Sequence, residues 1–371
     1  MKKALQLSGK VNMVDQFCIP NILMLQALGY SVSVASDFSD PGSISKERAK
    51  EVVQRFDQLD VDVHDISFPR SLRIRSLFNA YKQVKLLFKT EHFDLVHCHS
   101  PIGAAVCRMA ARKERKKGTK VIYTAHGFHF YKGAPIKNWL LYYPVEKVLG
   151  RYTDILITIN KEDFERAKRK LHPKKIKYVP GVGVNTDTFF PGSGNGDKIR
   201  EELGLRDSQL MILSVGELNE NKNHERVIRA ISGLGFVYVI VGKGKLDEKL
   251  SEVAKECGVD LRLMGYRSDV IDFYAAADVY VLPSIREGLN VSLMEAMASG
   301  LSVACGNIRG NVDLIEEPLF SPDKESEIKI AILKAVENKE EYGKRNREKI
   351  KGFSLEKING MMHQIYKECE Q

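Results

Sequence analysis

Short runs rich in Val, Ile and Leu alternate along the chain with stretches of helical period. In the first half the runs are Lys3–Ser8, Ser31–Ala35, Asp62–Phe68, Leu95–His99, Lys120–His126, Ile155–Ile159 and Ile176–Pro180. The pattern restarts at Leu210–Gly216 and continues through Phe236–Gly242, Leu261–Gly265, Val279–Pro283, Leu301–Cys305 and Leu319–Ser321. Runs this apolar leave no water-facing side, so they predict parallel strands covered on both faces by the intervening helices. Two such series predict an α/β protein of two doubly wound, Rossmann-like domains.

The periodicity breaks at Gly181–Gly196, where Gly181-Val-Gly-Val-Asn-Thr-Asp and Pro191-Gly-Ser-Gly-Asn-Gly are turn-rich. The expected division is a first domain over 1–185 and a second over 186–353. A closing helix over 354–371, with Ser354 as its N-cap, is expected to cross back to the first domain. A length of 371 residues also exceeds one ordinary core.

Composition changes this picture little. Hydrophobic residues make up 43% and charged residues 28%, as in a globular chain. No apolar run approaches the roughly 20 residues of a spanning helix. The start, Met1-Lys2-Lys3, reads as too brief and polar for a signal peptide. Six cysteines, at 18, 98, 107, 257, 305 and 369, show no metal-like spacing. Reduced thiols and a cytoplasmic location are expected.

Charge adds more. Residues 1–190 hold 32 Lys and Arg against 18 Asp and Glu, while the remainder holds 25 against 30. A basic first half calls for an anionic partner: nucleic acid, an acidic membrane surface or a phosphorylated substrate. The stretch 71–89 places Leu77, Phe78, Tyr81, Val84 and Phe88 on one helical stripe, with Lys82, Lys85 and Lys89 off it. Arg112–Lys117 is a second basic run, and Trp139-Leu-Leu-Tyr-Tyr-Pro lies near Lys132 and Lys137. Such a surface suits an anionic membrane, and equally suits ordinary helices with a solvated basic face.

Ligands of open parallel sheets sit at the carboxyl ends of strands. The loops to read are therefore Ser8-Gly9-Lys10, His99-Ser100-Pro101, His126-Gly127-Phe128, Gly216-Glu217, Gly242-Lys243-Gly244 and Ser284 to Gly288. After the run ending at Pro283 comes a loop with Arg286, Glu287 and Gly288. A helix then starts near Leu289–Asn290 and ends at Ser299-Gly300. A helix start offers amide donors and partial positive charge to a diphosphate. Gly288 allows close approach of a ligand to the backbone.

Glu287 and Glu295 stand eight apart in this segment, Val279-Tyr-Val-Leu-Pro-Ser-Ile-Arg-Glu-Gly-Leu-Asn-Val-Ser-Leu-Met-Glu-Ala-Met-Ala-Ser-Gly300. It resembles the Glu-x7-Glu signature of the family-4 retaining glycosyltransferases, which have the GT-B fold. Leu263-Met-Gly-Tyr-Arg-Ser-Asp, Val241-Gly-Lys-Gly-Lys-Leu and Gly310-Asn-Val-Asp-Leu-Ile are similar to that family. Phe93-Asp-Leu-Val-His-Cys-His and Tyr123-Thr-Ala-His-Gly-Phe-His-Phe-Tyr resemble its capsule and exopolysaccharide branch.

The resemblance implies two domains facing a cleft, the first binding acceptor and the second a nucleotide-sugar donor, with UDP favoured. It implies metal-independent transfer with retention and no cofactor. Glu287 would contact the donor sugar, Glu295 the ribose hydroxyls, and His126 the transferred sugar. Lys222 would grip the diphosphate. Gly216, Asn219, Gly242, Arg286, Gly288, Leu289 and Asn290 would complete the donor side. Gly9, His99 and His129 are the acceptor-side candidates, and a lipid-diphosphate-linked sugar at the inner membrane face is the expected acceptor. One departure stands out: the usual arginine after the glycine of Gly216 is Glu217, so Arg286 or Lys243 would have to supply the second cation.

Other readings are weaker. A nucleotide-sugar epimerase would keep the fold. No zinc module, aromatic RNA-binding pattern or recognition helix supports nucleic acid. No Gly-x-Gly-x-x-Gly follows the first strand, against a nicotinamide enzyme.

Overall fold

The computed structural model describes residues 1–40, 42, 44–69, 73–99 and 101–370. The chain forms two compact units, one of residues 1–180 with the segment from Asn359 onward, the other Gly181–Ile358.

The first unit is built on seven parallel strands: β1 (Lys2–Leu7), β2 (Tyr30–Ser36), β3 (Asp62–Asp65), β4 (Leu95–His99), β5 (Lys120–Ala125), β6 (Ile155–Thr158) and β7 (Lys175–Tyr178), in the order β3-β2-β1-β4-β5-β6-β7. The second has six: β8 (Met211–Val215), β9 (Val237–Val241), β10 (Asp260–Leu263), β11 (Val279–Leu282), β12 (Ser302–Gly306) and β13 (Leu319–Phe320), in the order β10-β9-β8-β11-β12-β13. Every apolar run read from the sequence is a strand. Several stop short of the run, β3 by three residues, because the last residues turn into the loops that follow.

In both sheets the strand order reverses once, between β1 and β4 and between β8 and β11. Loops leaving the carboxyl ends of such a neighbouring pair diverge to opposite faces and open a crevice between them. The fold thus selects the loops after β1, β4, β8 and β11.

Helices cover both sheets. In the first unit Val84, Leu87 and Phe88 of helix Ile74–Thr90 pack with Ala104 and Val106 of helix Pro101–Ala110 over Leu5, Val96 and Val121. In the second, Val227, Leu250, Ile328 and Ile332 cover Ile212, Tyr238, Ile240 and Val281. Each fully buried aliphatic side chain contributes about 1.5–3 kcal/mol. Phe78 departs from its expected stripe: it is 54% exposed, whereas Val84 and Phe88 are buried. Ser71 and Leu72, which open the basic stretch, and Ser100 of the loop after β4 lie outside the described residues. Arg115 of the second basic run is held by Asp154 at 2.7 Å, a structural rather than a solvated role.

The last helix, Leu355–Glu370, begins in the second unit and continues in the first. Ser354 accepts a bond from the Lys357 amide at its start. All six cysteines are free thiols, five of them buried. Among the described residues no helix is long and apolar enough to cross a membrane.

Candidate functional site

In the second unit the crevice between β8 and β11 is lined by three loops tied to one another. The segment after β8 runs beside the segment after β9: the Gly216 amide donates to Val241 O and the Leu218 amide to Lys243 O. Gly242 is required by this approach, since a Cβ there would stand 1.8 Å from Gly216 O. The loop 219–223 is in turn stapled to the loop after β11. The Ile285 amide donates to Asn221 O, Asn221 Nδ2 to Arg286 O, and Asn223 Nδ2 to Pro283 O. Asn219 closes its own turn by accepting from the Lys222 amide through Oδ1.

These ties bring Lys222 and Glu287, 65 residues apart, into an ion pair with Nζ 2.8 Å from Oε1. Both side chains are largely buried, so the pair is weakly screened. Gly288 lies against Gly310: a Cβ at Gly310, whose φ is +81°, would stand 2.3 Å from Gly288 O. The neighbouring Arg309 donates through Nε to Glu287 O at 3.2 Å and is buried. Arg309 was not singled out from sequence. Its signal was position, in the loop after β12, the strand beside β11.

The helix that follows spans Val291–Ala298 and starts one to two residues later than expected. Asn290 is its N-cap, accepting from the Leu293 amide at 2.9 Å, worth about 1 kcal/mol. The side chains of Leu289 and Asn290 are buried. Ser292 Oγ sits 3.1 Å from Val215 O and 2.7 Å from the Tyr280 hydroxyl, fixing the helix start against the end of β8. Gly300, with φ +81°, terminates the helix; its amide and that of Leu301 donate to Met297 O and Ala296 O.

Glu295 faces Tyr274, whose hydroxyl donates to Oε2 at 2.9 Å. Burial pushes the Glu295 carboxyl up to about 7, outweighing the opposite pull of the Tyr274 bond. The unfolded chain titrates this group near 4.5. Between 4.5 and 7 the folded chain keeps a proton that the unfolded chain has released. This group's contribution to stability therefore falls as pH rises through that window, and stays low above it. Glu295→Gln is expected to raise the melting temperature relative to wild type at pH 8 by a few degrees, at roughly 2–4 °C per kcal/mol, and to change it little at pH 4.5. Melting curves at the two pH values test this; an equal shift at both would show that burial does not govern the carboxyl.

Glu217 is exposed, as are Arg286 and Lys243. Among the described residues no group of three or more His, Cys, Asp or Glu could hold a metal ion.

In the first unit the crevice between β1 and β4 holds a histidine chain. Gln6 and His97 are paired across β1 and β4. His97 and His99, two apart on one strand, share a face, their rings 4.2 Å apart. His99 Nδ1 is 3.1 Å from His126 Nε2, and His99 Nε2 is 3.1 Å from Gln6 Oε1. Gln6 Nε2 donates to the Tyr366 hydroxyl, which lies 2.8 Å from His97 Nδ1; His97 Nε2 reaches Thr124 Oγ1. Burial pushes His97 down to about 3 and His126 to about 4, and holds His99 well below 6.5, so each ring carries one proton at neutral pH.

One proton per ring orders the chain. Gln6 Oε1 can only accept, so His99 donates from Nε2 and accepts at Nδ1. His126 must then donate from Nε2, which leaves its Nδ1 with a lone pair. His126 offers an acceptor, held by Phe17 at 4.7 Å between ring centres. His129 packs against Tyr142, their ring centres 4.5 Å apart and their planes tilted by 30°, on a different neighbour from His126. Gly9 is buried in the loop after β1, next to Lys10, which is clamped by Asp37 at 2.9 Å and Asp40 at 2.8 Å. Gln6 and Tyr366 were not legible as site residues.

The family description Glycosyltransferase Family 4 matches residues 22–188, and Glycosyl transferases group 1 matches residues 195–352. The putative glycosyltransferase EpsD of Bacillus subtilis (strain 168) is 42% identical over 246 residues, covering 64% of this chain and 65% of that protein. The UDP-Gal:alpha-D-GlcNAc-diphosphoundecaprenol alpha-1,3-galactosyltransferase of Escherichia coli is 32% identical over 255 residues, covering 66% of this chain and 64% of that protein. The chain thus spans just under two thirds of the length of these two relatives. Among solved structures, Anabaena Alr3699/HepE in complex with UDP superposes with a TM-score of 0.78 at 17% identity, covering 99% of this chain and 100% of that one. A glycosyltransferase from Rickettsia africae ESF-5 gives 0.76 at 19%, covering 100% and 99%. At these identities the likeness is one of fold.

Proposed function

This chain belongs to the GT-B glycosyltransferases of family 4 and group 1, and from that premise we propose that it transfers a hexose or N-acetylhexosamine, with retention, from a UDP-sugar to a lipid-diphosphate-linked sugar in cell-surface polysaccharide synthesis. The observation that carries the reading is the Lys222–Glu287 pair at the switch point of the second sheet. Support for the donor class comes from the galactosyltransferase relative, whose name specifies a UDP donor and a diphosphoundecaprenol acceptor.

In this reading the bond between the anomeric carbon and the diphosphate oxygen breaks, and a bond from the acceptor hydroxyl oxygen to the same carbon forms. The acceptor proton leaves with the departing diphosphate or to solvent. Negative charge grows on the diphosphate, and Lys222, with the amides of 288–290, is the fixed donor set that meets it. Glu287 accepts from the sugar hydroxyls while its other partner, Lys222, keeps it oriented. Glu295 accepts from the ribose diol and binds best when ionised, above its value near 7. His126 presents its Nδ1 lone pair to a hydroxyl of the transferred sugar. The basic charge of the first 190 residues favours an anionic acceptor at the inner membrane surface.

A thermal-shift panel of UDP, GDP and their sugars tests the donor class, because a ligand bound only by the folded state raises its melting temperature. UDP-sugars are expected to stabilise, and product analysis then separates transfer from epimerisation. A panel in which no nucleotide stabilises the protein, or in which the sugar is epimerised without transfer, would overturn the proposal.

A further inference from the structure

The first unit carries a groove of about 800 Å³ between helices Ile74–Thr90, Pro101–Ala110 and Ile136–Gly150. Its walls include Ile74, Phe78, Met109, Leu141, Val145 and Val148, which are between 44% and 84% exposed. Single exposed apolar residues need no explanation, but a contiguous set this large marks an interaction site. The floor is sealed: Glu146, which reaches the groove, is held by Arg108 through two bonds at 2.9 and 3.1 Å and by the Tyr123 hydroxyl at 3.2 Å.

The rim is cationic. Lys82 Nζ lies 4.6 Å from the Phe78 ring centre and Lys85 Nζ 5.7 Å from that of Tyr81, and both rings line the groove. Arg73, Arg75 and Lys147, next to lining residues in sequence, are exposed. One end adjoins His129. Tyr142 lines the groove and packs against His129, and Pro101 and Ile102 of the groove follow His99 in sequence by two and three residues. An apolar trough with positive edges, opening beside the acceptor-side candidate His129, matches a molecule with a hydrocarbon chain and an anionic head.

We propose that this groove holds the isoprenoid chain of a polyprenyl-diphosphate-linked acceptor, with the diphosphate at the rim of Lys82, Lys85 and neighbouring cations. The inference rests on the reading above that the acceptor is lipid-linked. A single chain fits the site better than a bilayer face does, because the apolar surface is a trough between three helices with its polar floor closed.

The protein is followed by isothermal titration calorimetry. It is titrated with undecaprenyl diphosphate in detergent, geranyl diphosphate, inorganic diphosphate, and phosphatidylglycerol vesicles free of prenyl lipid. Affinity is expected to rise with chain length, inorganic diphosphate to give no saturable change, and L141Q/V145Q to weaken undecaprenyl diphosphate at least tenfold. Both positions are about half exposed, so the variant can fold; its melting curve and UDP shift check that it has. Equal affinity in wild type and variant overturns the groove. Vesicles that bind as tightly, and lose as much in the variant, assign it to the bilayer and overturn the single-chain proposal. Failure of the nucleotide panel alone would sink the transferase reading while the lipid titration still reads the groove.

Discussion

Lys222→Ala is expected to lower kcat/KM by about two to three orders of magnitude, the usual cost of removing one fixed donor from a developing oxyanion. The effect has two sources. The variant loses the cation proposed to meet the diphosphate, and it leaves the Glu287 carboxylate without the partner that stands 2.8 Å away. A second cation in the usual position would soften the loss, but that position is Glu217, which is exposed and of the wrong charge. Arg309 is close, yet its Nε already serves the Glu287 carbonyl. Glu287→Gln, which keeps the shape and removes the charge, is expected to depress kcat with little change in UDP affinity. Steady-state kinetics with the donor found by the nucleotide panel decide the matter. A Lys222→Ala enzyme within threefold of wild type would remove the pair from the mechanism.

Arg108→Ala is expected to destabilise the first unit by about 3–5 kcal/mol, since it strips the partner from a carboxylate that is itself buried. Arg108 is 1% exposed and Glu146 6%, the pair is doubly bonded, and the guanidinium lies 4.0 Å from the Tyr123 ring centre. The double variant Arg108→Met with Glu146→Leu is expected to recover most of that loss, because apolar residues of similar volume need no compensating charge. Urea unfolding of the three proteins measures it. A double variant no more stable than Arg108→Ala would mean that the pair is a net stabiliser in its own right.

The strands were legible because burial on both faces forces continuous Val, Ile and Leu, a pattern that needs no partner to be read. The shared face of His97 and His99 was legible too, since a two-residue period is local. Phe78 was misplaced because the stripe was read too broadly: it stands one residue, about 100° of helix, from Leu77, which shares the face of Tyr81, Val84 and Phe88. The candidate site residues Lys222 and Glu287 were readable as loop positions after strands, but not as partners. Lys222 meets Glu287 across 65 residues, and Glu295 meets Tyr274 from a separate helix. Tyr366 carries no local signal that it joins Gln6 and His97, which stand 360 and 269 residues before it.

That last partnership has a consequence in time. Tyr366 belongs to the first unit, yet it is synthesised after all of the second. At ribosomal speeds of about 5–20 residues per second, the seven strands wait roughly 10–40 s, from β7 onward, for the hydroxyl that completes their polar core. Until then Gln6 and His97 lack their shared partner. A nascent chain would therefore carry a first sheet already assembled and a histidine chain not yet in order until the helix Leu355–Glu370 has been made.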